Sequence, residues 1–202
     1  MILAFDTSTA ACTAALFDGS GRCVGRRDEI IGRGHAERLV PLIADLVGDS
    51  RPDRLIVGVG PGSFTGIRVG IAAAHGLAIG WDAELKGMSS LALLAAGEDS
   101  SDHFAVAVSG GHGELFVQQF DGRTLEPETV LFNLPPEDAA AAVSADRVIG
   151  SGAGQLVDAR GSGEARDALP SAADALQLPE ALRSLPPKPI YARAPDAKAK
   201  AA

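Results

Sequence analysis

Apolar and polar positions divide the chain into short elements separated by turn residues. "MILAFDTS" and "CTAALFD" are apolar-rich runs at the start, and "CVGRRDEI" follows as a third, more polar strand. Asp18-Gly19 and Ser20-Gly21 supply turn chemistry between the second and third, which predicts an antiparallel meander. From His35, apolar residues recur at Leu39, Val40, Leu42, Ile43, Leu46 and Val47, a helical period closed by Gly48. Pro41 lies inside that pattern and predicts a kink or a late start. "RLIVGVG" at 54–60 is a continuous apolar run, the mark of a strand buried on both faces. A second helix is expected over 63–79, a strand at "ELKGM" (84–88), and a helix "SLALLAAG" capped by Ser89 and stopped by Gly97.

The order then restarts. "HFAVAVSG" and "GELFVQQFDG" are strands around a glycine-rich turn, and "TLEPETVLF" is a candidate third. "PPEDAAAAVS" is a helix with proline and acids in its first turn. "DRVIG" is a strand, and a helix is expected near 171–184. The second half thus reads as a reduced copy of the first. The polar stretch "GEDSSD" (97–102) marks the boundary, giving an N-terminal domain over 1–100, a C-terminal domain over 101–190, and a loose, low-complexity tail over 191–202.

Composition narrows the function. Of 202 residues, 46% are hydrophobic and 4% aromatic, so the core relies on Ala, Leu and Val. Formal net charge is -8. Residues 1–100 carry nine Lys or Arg against twelve Asp or Glu, and residues 101–202 nine against fourteen. Neither half has the basic excess of a chain that grips RNA alone, so any nucleic acid must be held with help. No secretory leader or membrane-spanning run is apparent, and Cys12 and Cys23 lack metal-binding or disulfide spacing. A cytoplasmic protein with reduced thiols is expected.

"GVGPGSFTGIRVGIAAAHG" (58–76) holds six glycines at a strand-to-helix junction. It fits neither common phosphate motif. There is no lysine for a Walker A loop, and Ser63 and Thr65 stand where a dinucleotide fingerprint needs glycine. The free N–H groups of the helix start suit an anion, while Ser63 also suits a simple N-cap. Gly62, Gly66 and Gly70 are spaced by four and Ala74 continues the row, so another backbone is expected to approach that helix face closely. Phe64, Ile67, Ile71, Leu77 and Ile79 cover much of the rest. A helix apolar on most sides implies burial by its own core and by something further, and the backbone that meets the glycine row is either the sheet of the same domain or a helix of another chain.

Three catalytic readings arise from the remaining polar residues. Asp6-Thr7-Ser8-Thr9 ends the first strand with a carboxylate and hydroxyls, a set able to hold Mg²⁺ and phosphate or simply to satisfy a turn. The matching turn of the second half, "SGGHG", has no carboxylate before Glu114, so a working kinase or ATPase site is not expected. His35 has Leu39, not histidine, one helical turn on, and His75, His103 and His112 are scattered, so neither a metal nor a metallopeptidase is expected. Ser63 follows Gly62 directly, which breaks nucleophile-elbow spacing. Arg68 is the lone charge at the start of the apolar helix, either pairing across an interface or snorkelling.

"ILAFDTSTAACTAALFDG", "GHAERLVPLIADLV", "GVGPGSFTGIRVGIAAAHGLA" and "GMSSLALLAA" together resemble the TsaB (YeaZ) family, with weaker likeness at "GELFVQQFD" and "PIYARAPDAK". The resemblance implies an α/β fold of two ribonuclease-H-like halves, as in the actin/Hsp70/sugar-kinase superfold, the second half reduced. It implies a non-catalytic subunit without cofactor that partners a TsaD-like paralogue. That complex, joined by a TsaE-like ATPase, forms threonylcarbamoyladenosine beside the tRNA anticodon, and tRNA is met only through it. A homodimer is the further implied assembly. The family's contact surface maps onto the two helices, here His35, Leu39, Leu42, Ile43, Leu46, Phe64, Gly66, Ile67, Arg68, Gly70, Ile71 and Ala74. Asp6, Thr7, Ser8 and Thr9 become a vestigial nucleotide loop. One departure stands out: Ser109-Gly110-Gly111 occupies the place of the family's common Asp-Ala-Arg. The alternative is a degenerate small-molecule kinase or ATPase of the same superfold, with a metallopeptidase further behind.

Overall fold

The computed structural model describes residues 1–191. The chain opens with β1 (Ile2–Asp6), β2 (Ala11–Phe17) and β3 (Cys23–Ile30), the expected meander, and continues through α1 (His35–Val47), β4 (Arg54–Gly58), α2 (Phe64–Trp81), β5 (Glu84–Met88) and α3 (Ser90–Ala96). The five strands form one sheet ordered β3-β2-β1-β4-β5. β2 and β3 run antiparallel to their neighbours, and β4 and β5 join in parallel.

The second sheet repeats this order. It comprises β6 (Phe104–Ser109), β7 (Leu115–Phe120), β8 (Phe132–Leu134), β9 (Arg147–Ile149) and β10 (Glu164–Arg166), arranged β8-β7-β6-β9-β10. β6 to β8 form an antiparallel meander, and β9 and β10 again add in parallel. The same order and the same switch in direction occur in both halves, so the chain is two ribonuclease-H-like halves, the second with shorter outer strands. α4 (Pro136–Ala142) and α5 (Ala153–Arg160) pack on its outer face.

Alternation along the strands builds the core in layers. Leu3, Phe5, Leu55 and Val57 face α1 and α2. Ala4, Ala15, Ile56 and Met88 face the opposite way, onto α3 and the second sheet's Phe104, Val106 and Val108. Every residue of α3 is buried, so this helix is the joint between halves. The edge strand β3 is mostly exposed and carries Arg26, Arg27, Asp28 and Glu29, charges that discourage pairing with another sheet.

The structure departs from the sequence reading in several places. The helix expected over 171–184 is a 3₁₀ turn at Ala172–Gln177 and a separate α6 at Glu180–Arg183. Pro179 separates them, because it favours an extended Leu178 before it. Residues 171–190 also leave the second half. Ala172 N–H donates to Thr13 Oγ1, Leu185 pairs with Gly87 and Ile190 N–H donates to Val59 O. Of "TLEPETVLF" only Phe132 enters a strand, Phe132–Leu134, with a lone bridge at Pro127. α5 and β10 were not expected. α1 does not start late: it runs from His35 through Pro41 to Val47 without a break. Residues 192–202, which include the tail and the end of "PIYARAPDAK", lie outside the described residues.

Candidate functional site

The glycine row meets its close neighbour inside the chain. A Cβ on Gly62 would lie 2.2 Å from Ser8 O, one on Gly66 1.9 Å from Thr7 O, and one on Gly70 2.6 Å from Thr7 Oγ1. α2 therefore lies against the β1–β2 turn, and only glycine lets it approach so closely. Hydrogen bonds fix the contact: Thr7 Oγ1 donates to Gly66 O at 2.7 Å and Ser63 N–H donates to Ser8 O at 2.6 Å. Ser63 also caps α2 by accepting from Gly66 N–H.

Beneath this turn Asp6 is fully buried. Its Oδ1 accepts from Ser8 N–H and Ser8 Oγ, each at 2.7 Å, and its Oδ2 accepts from Ser90 Oγ at 2.5 Å. Ser90 Oγ in turn accepts from Gly60 N–H at 3.1 Å. Gly58 leaves room for the carboxylate, since a Cβ there would sit 1.7 Å from Oδ2. A buried carboxyl is tolerable when hydrogen-bonded this fully, with Oδ1 held by the turn and Oδ2 by Ser90 at the start of α3. Thr9 Oγ1 likewise accepts from Ala11 N–H. Ser90 is a member of this network that sequence reading missed; "MSSL" yielded only the cap at Ser89.

The second half mirrors this junction. The β6–β7 turn, Gly110–Glu114, closes through Gly110 N–H donating to Glu114 O, and Ser109 is tied to Ser151 at the start of α5. His112 adopts a left-handed conformation in the turn. The two turns face each other across a cleft of about 810 Å³. Ser8, Thr9 and Arg68 line one side, and Ser109, Glu114 and Asn133 the other. Glu114 accepts from Asn133 Nδ2 at 2.6 Å. Among the described residues, Arg68 pairs with no acid and does not extend freely. Its guanidinium lies 3.4 Å from the centre of the Phe64 ring, and its Nε donates to Tyr191 Oη at 3.1 Å. Tyr191 is a second residue that sequence reading did not single out.

Most of the expected contact residues face inward. His35, Leu39, Leu42, Ile43, Gly66, Ile67, Gly70, Ile71 and Ala74 are buried in this chain's own fold, and Leu46 is half-buried. His35 Nε2 is occupied by the carbonyl of Ala11 at 3.2 Å. α2 approaches the β1–β2 turn closely, so the small-residue stripe packs inside this chain. Phe64 and Arg68 alone of the set are exposed. The outer face of the helix pair instead presents Val40, Phe64 and Ile79, the last 84% exposed. Cys12 is buried and Cys23 exposed, both free, and burial pushes the Cys12 thiol up to about 11.

The family model "TsaD: tRNA N6-adenosine threonylcarbamoyltransferase" matches residues 25–147, more than half the chain. The tRNA threonylcarbamoyladenosine biosynthesis protein TsaB of Escherichia coli is 37% identical over 128 residues, 59% of this chain and 54% of that protein. TsaB of Haemophilus influenzae is 34% identical over 58% of this chain and 52% of its own length. The alignments thus span about half the length of these curated relatives. The structure of YeaZ from Pseudomonas aeruginosa is 30% identical with a TM-score of 0.78, covering 94% of this chain and 98% of that one. A Pseudomonas aeruginosa structure described as similar to peptidase YEAZ is 32% identical with a TM-score of 0.76, covering 95% and 99%. Matched strand order, the glycine-row junction and these likenesses agree: the chain belongs to the TsaB/YeaZ family.

Proposed function

We propose that this chain acts in the biosynthesis of threonylcarbamoyladenosine in tRNA as a non-catalytic subunit, partnered by a TsaD-like paralogue. The observation that carries the non-catalytic reading is Asp6. The carboxylate placed to hold a metal is buried, with both oxygens accepting hydrogen bonds from the fold, so recruiting it for Mg²⁺ would dismantle the turn that seats α2. The partner contact falls on the outer face of α1 and α2, around Val40, Phe64, Arg68 and Ile79, where apolar side chains stand in solvent. A few such side chains are enough to anchor an interface. A TsaE-like ATPase joins the pair. The acidic chain meets tRNA only through the complex, whose other members supply the basic surface. A homodimer through the same face is the competing assembly for the free chain.

The cleft between the matched turns favours a second reading, a degenerate kinase or ATPase, because its shape and hydroxyl-rich walls suit a small polar ligand. One experiment separates the two. The gene is deleted in its own cells and replaced by Asp6→Asn or Ile79→Glu variants, and tRNA threonylcarbamoyladenosine is quantified. The scaffold reading requires loss in Ile79→Glu with the protein still present and folded. Loss in Asp6→Asn alone, with normal folding, favours the enzyme.

A further inference from the structure

A group at the far end of the second sheet belongs to neither the cleft nor the helix face. We propose that His103, Asp121 and Glu128 form a site for a divalent transition metal, with zinc the ion that best fits their donors. One ligand atom from each residue lies within 4.8 Å of the other two. They come from three positions. His103 precedes β6, Asp121 follows β7, and the pairing of Phe104 with Phe120 in adjacent strands brings those two together. Glu128 is brought in by the returning chain, where Pro127 bridges to Phe120 and Glu128 N–H donates to Gln119 O.

The donors are held from behind. Asp121 Oδ1 accepts from the N–H groups of Arg123 and Thr124. Glu128 Oε2 accepts from Gln119 Nε2 at 2.8 Å, while Oε1 lies 2.6 Å from His103 Nδ1. Gln119 is buried, and its carbonyl oxygen accepts from Ser144 and Ala145 N–H, so it cannot drift. Fixing carboxylates through one oxygen while the other stays toward the ion is how metal ligands are oriented.

Asp121 adds a second carboxylate beside the His103–Glu128 pair. One imidazole is set against two carboxylates that repel each other. The neighbouring arginines are turned elsewhere: Arg147 pairs with Glu98 and Glu164, and Arg123 Nε donates to Ser101 O. A divalent cation resolves the imbalance. The imidazole selects against Mg²⁺ and Ca²⁺, and one nitrogen with two carboxylate oxygens suits Zn²⁺, with water completing the shell. The ion would clip the 121–128 loop to the start of β6. The site is on the surface, so the fold does not depend on it.

The test is calorimetric titration of the untagged, EDTA-stripped full chain with zinc chloride. The expected result is one zinc per chain, with affinity reduced at least tenfold in His103→Ala and in Glu128→Gln and unchanged in His75→Ala, an exposed histidine on α2. Circular dichroism melts in EDTA check that each variant is folded. Asp121→Asn, which keeps the turn's acceptor, should also lose affinity. No zinc binding by the parent chain, or binding retained in folded His103→Ala, overturns the proposal. It stands or falls independently of the proposed role in tRNA modification.

Discussion

Thr7 and Gly66 are locked together from both directions: the Thr7 hydroxyl donates to the Gly66 carbonyl at 2.7 Å, and the Thr7 carbonyl occupies the space a Gly66 side chain would need. This contact seats α2 against the turn that buries Asp6. Gly66→Ala is therefore expected to destabilise by about 1–3 kcal/mol, the cost of overpacking a closed core. Gly76 and Gly80 lie on the same helix with open space around them. Gly76→Ala should stabilise by about 0.5–1 kcal/mol, as alanine does in an unobstructed helix. Urea unfolding of the two variants reads opposite signs, and a neutral Gly66→Ala would mean the turn yields.

Much of this junction was legible in the sequence, but not what it packs against. The spacing of Gly62, Gly66 and Gly70 announces a close neighbour, and nothing in a one-dimensional pattern says whether that neighbour is the same chain. Asp6 and Ser90 are 84 positions apart and meet only because β1 and β4 pair and α3 starts beside them. The meander was readable because its first two strands are apolar and the turn before its third carries Asp and Gly. α5 was not, because it buries only Ala153 and Leu156 and so shows little periodicity. β10 is wholly exposed, which removes the alternation that reveals a strand.

Ser90→Ala removes the hydroxyl that bridges Asp6 and the Gly60 N–H. Two buried partners lose a bond, so a loss of about 1–3 kcal/mol is expected. ATP hydrolysis by the purified chain is expected to stay at the buffer rate in parent and variant alike. Magnesium-dependent turnover abolished by Asp6→Ala would assign the cleft a catalytic role.

Acid should unfold the protein through its paired carboxylates. Hydrogen bonds from Ser20 hold Asp18 down at about 2, and Glu29 is lowered by Arg38. Groups depressed in the fold give stability that is present above their unfolded values and lost as pH falls through the folded ones. Asp174 has the opposite sign: burial, then the nearby Asp28 charge, raises it. Its ionised form opposes folding at neutral pH. Asp174→Asn, which can still accept from Gln177, is expected to raise Tm at pH 7, with the gain vanishing below the ordinary aspartate range. Melts across pH 3–7 check this, and a gain independent of pH would contradict it.

The most direct test of the partner-subunit reading is calorimetric binding of the purified chain to its TsaD-like paralogue, compared with Ile79→Glu and Ile71→Glu. Ile79 is 84% exposed and Ile71 is buried against the first sheet's core. Ile79→Glu should melt like the parent and bind at least tenfold more weakly, a loss of about 1.4 kcal/mol or more. Ile71→Glu should unfold, because its charge has no partner in the core. A folded Ile79→Glu that binds as tightly as the parent, or a parent chain that does not bind the paralogue, would contradict the account.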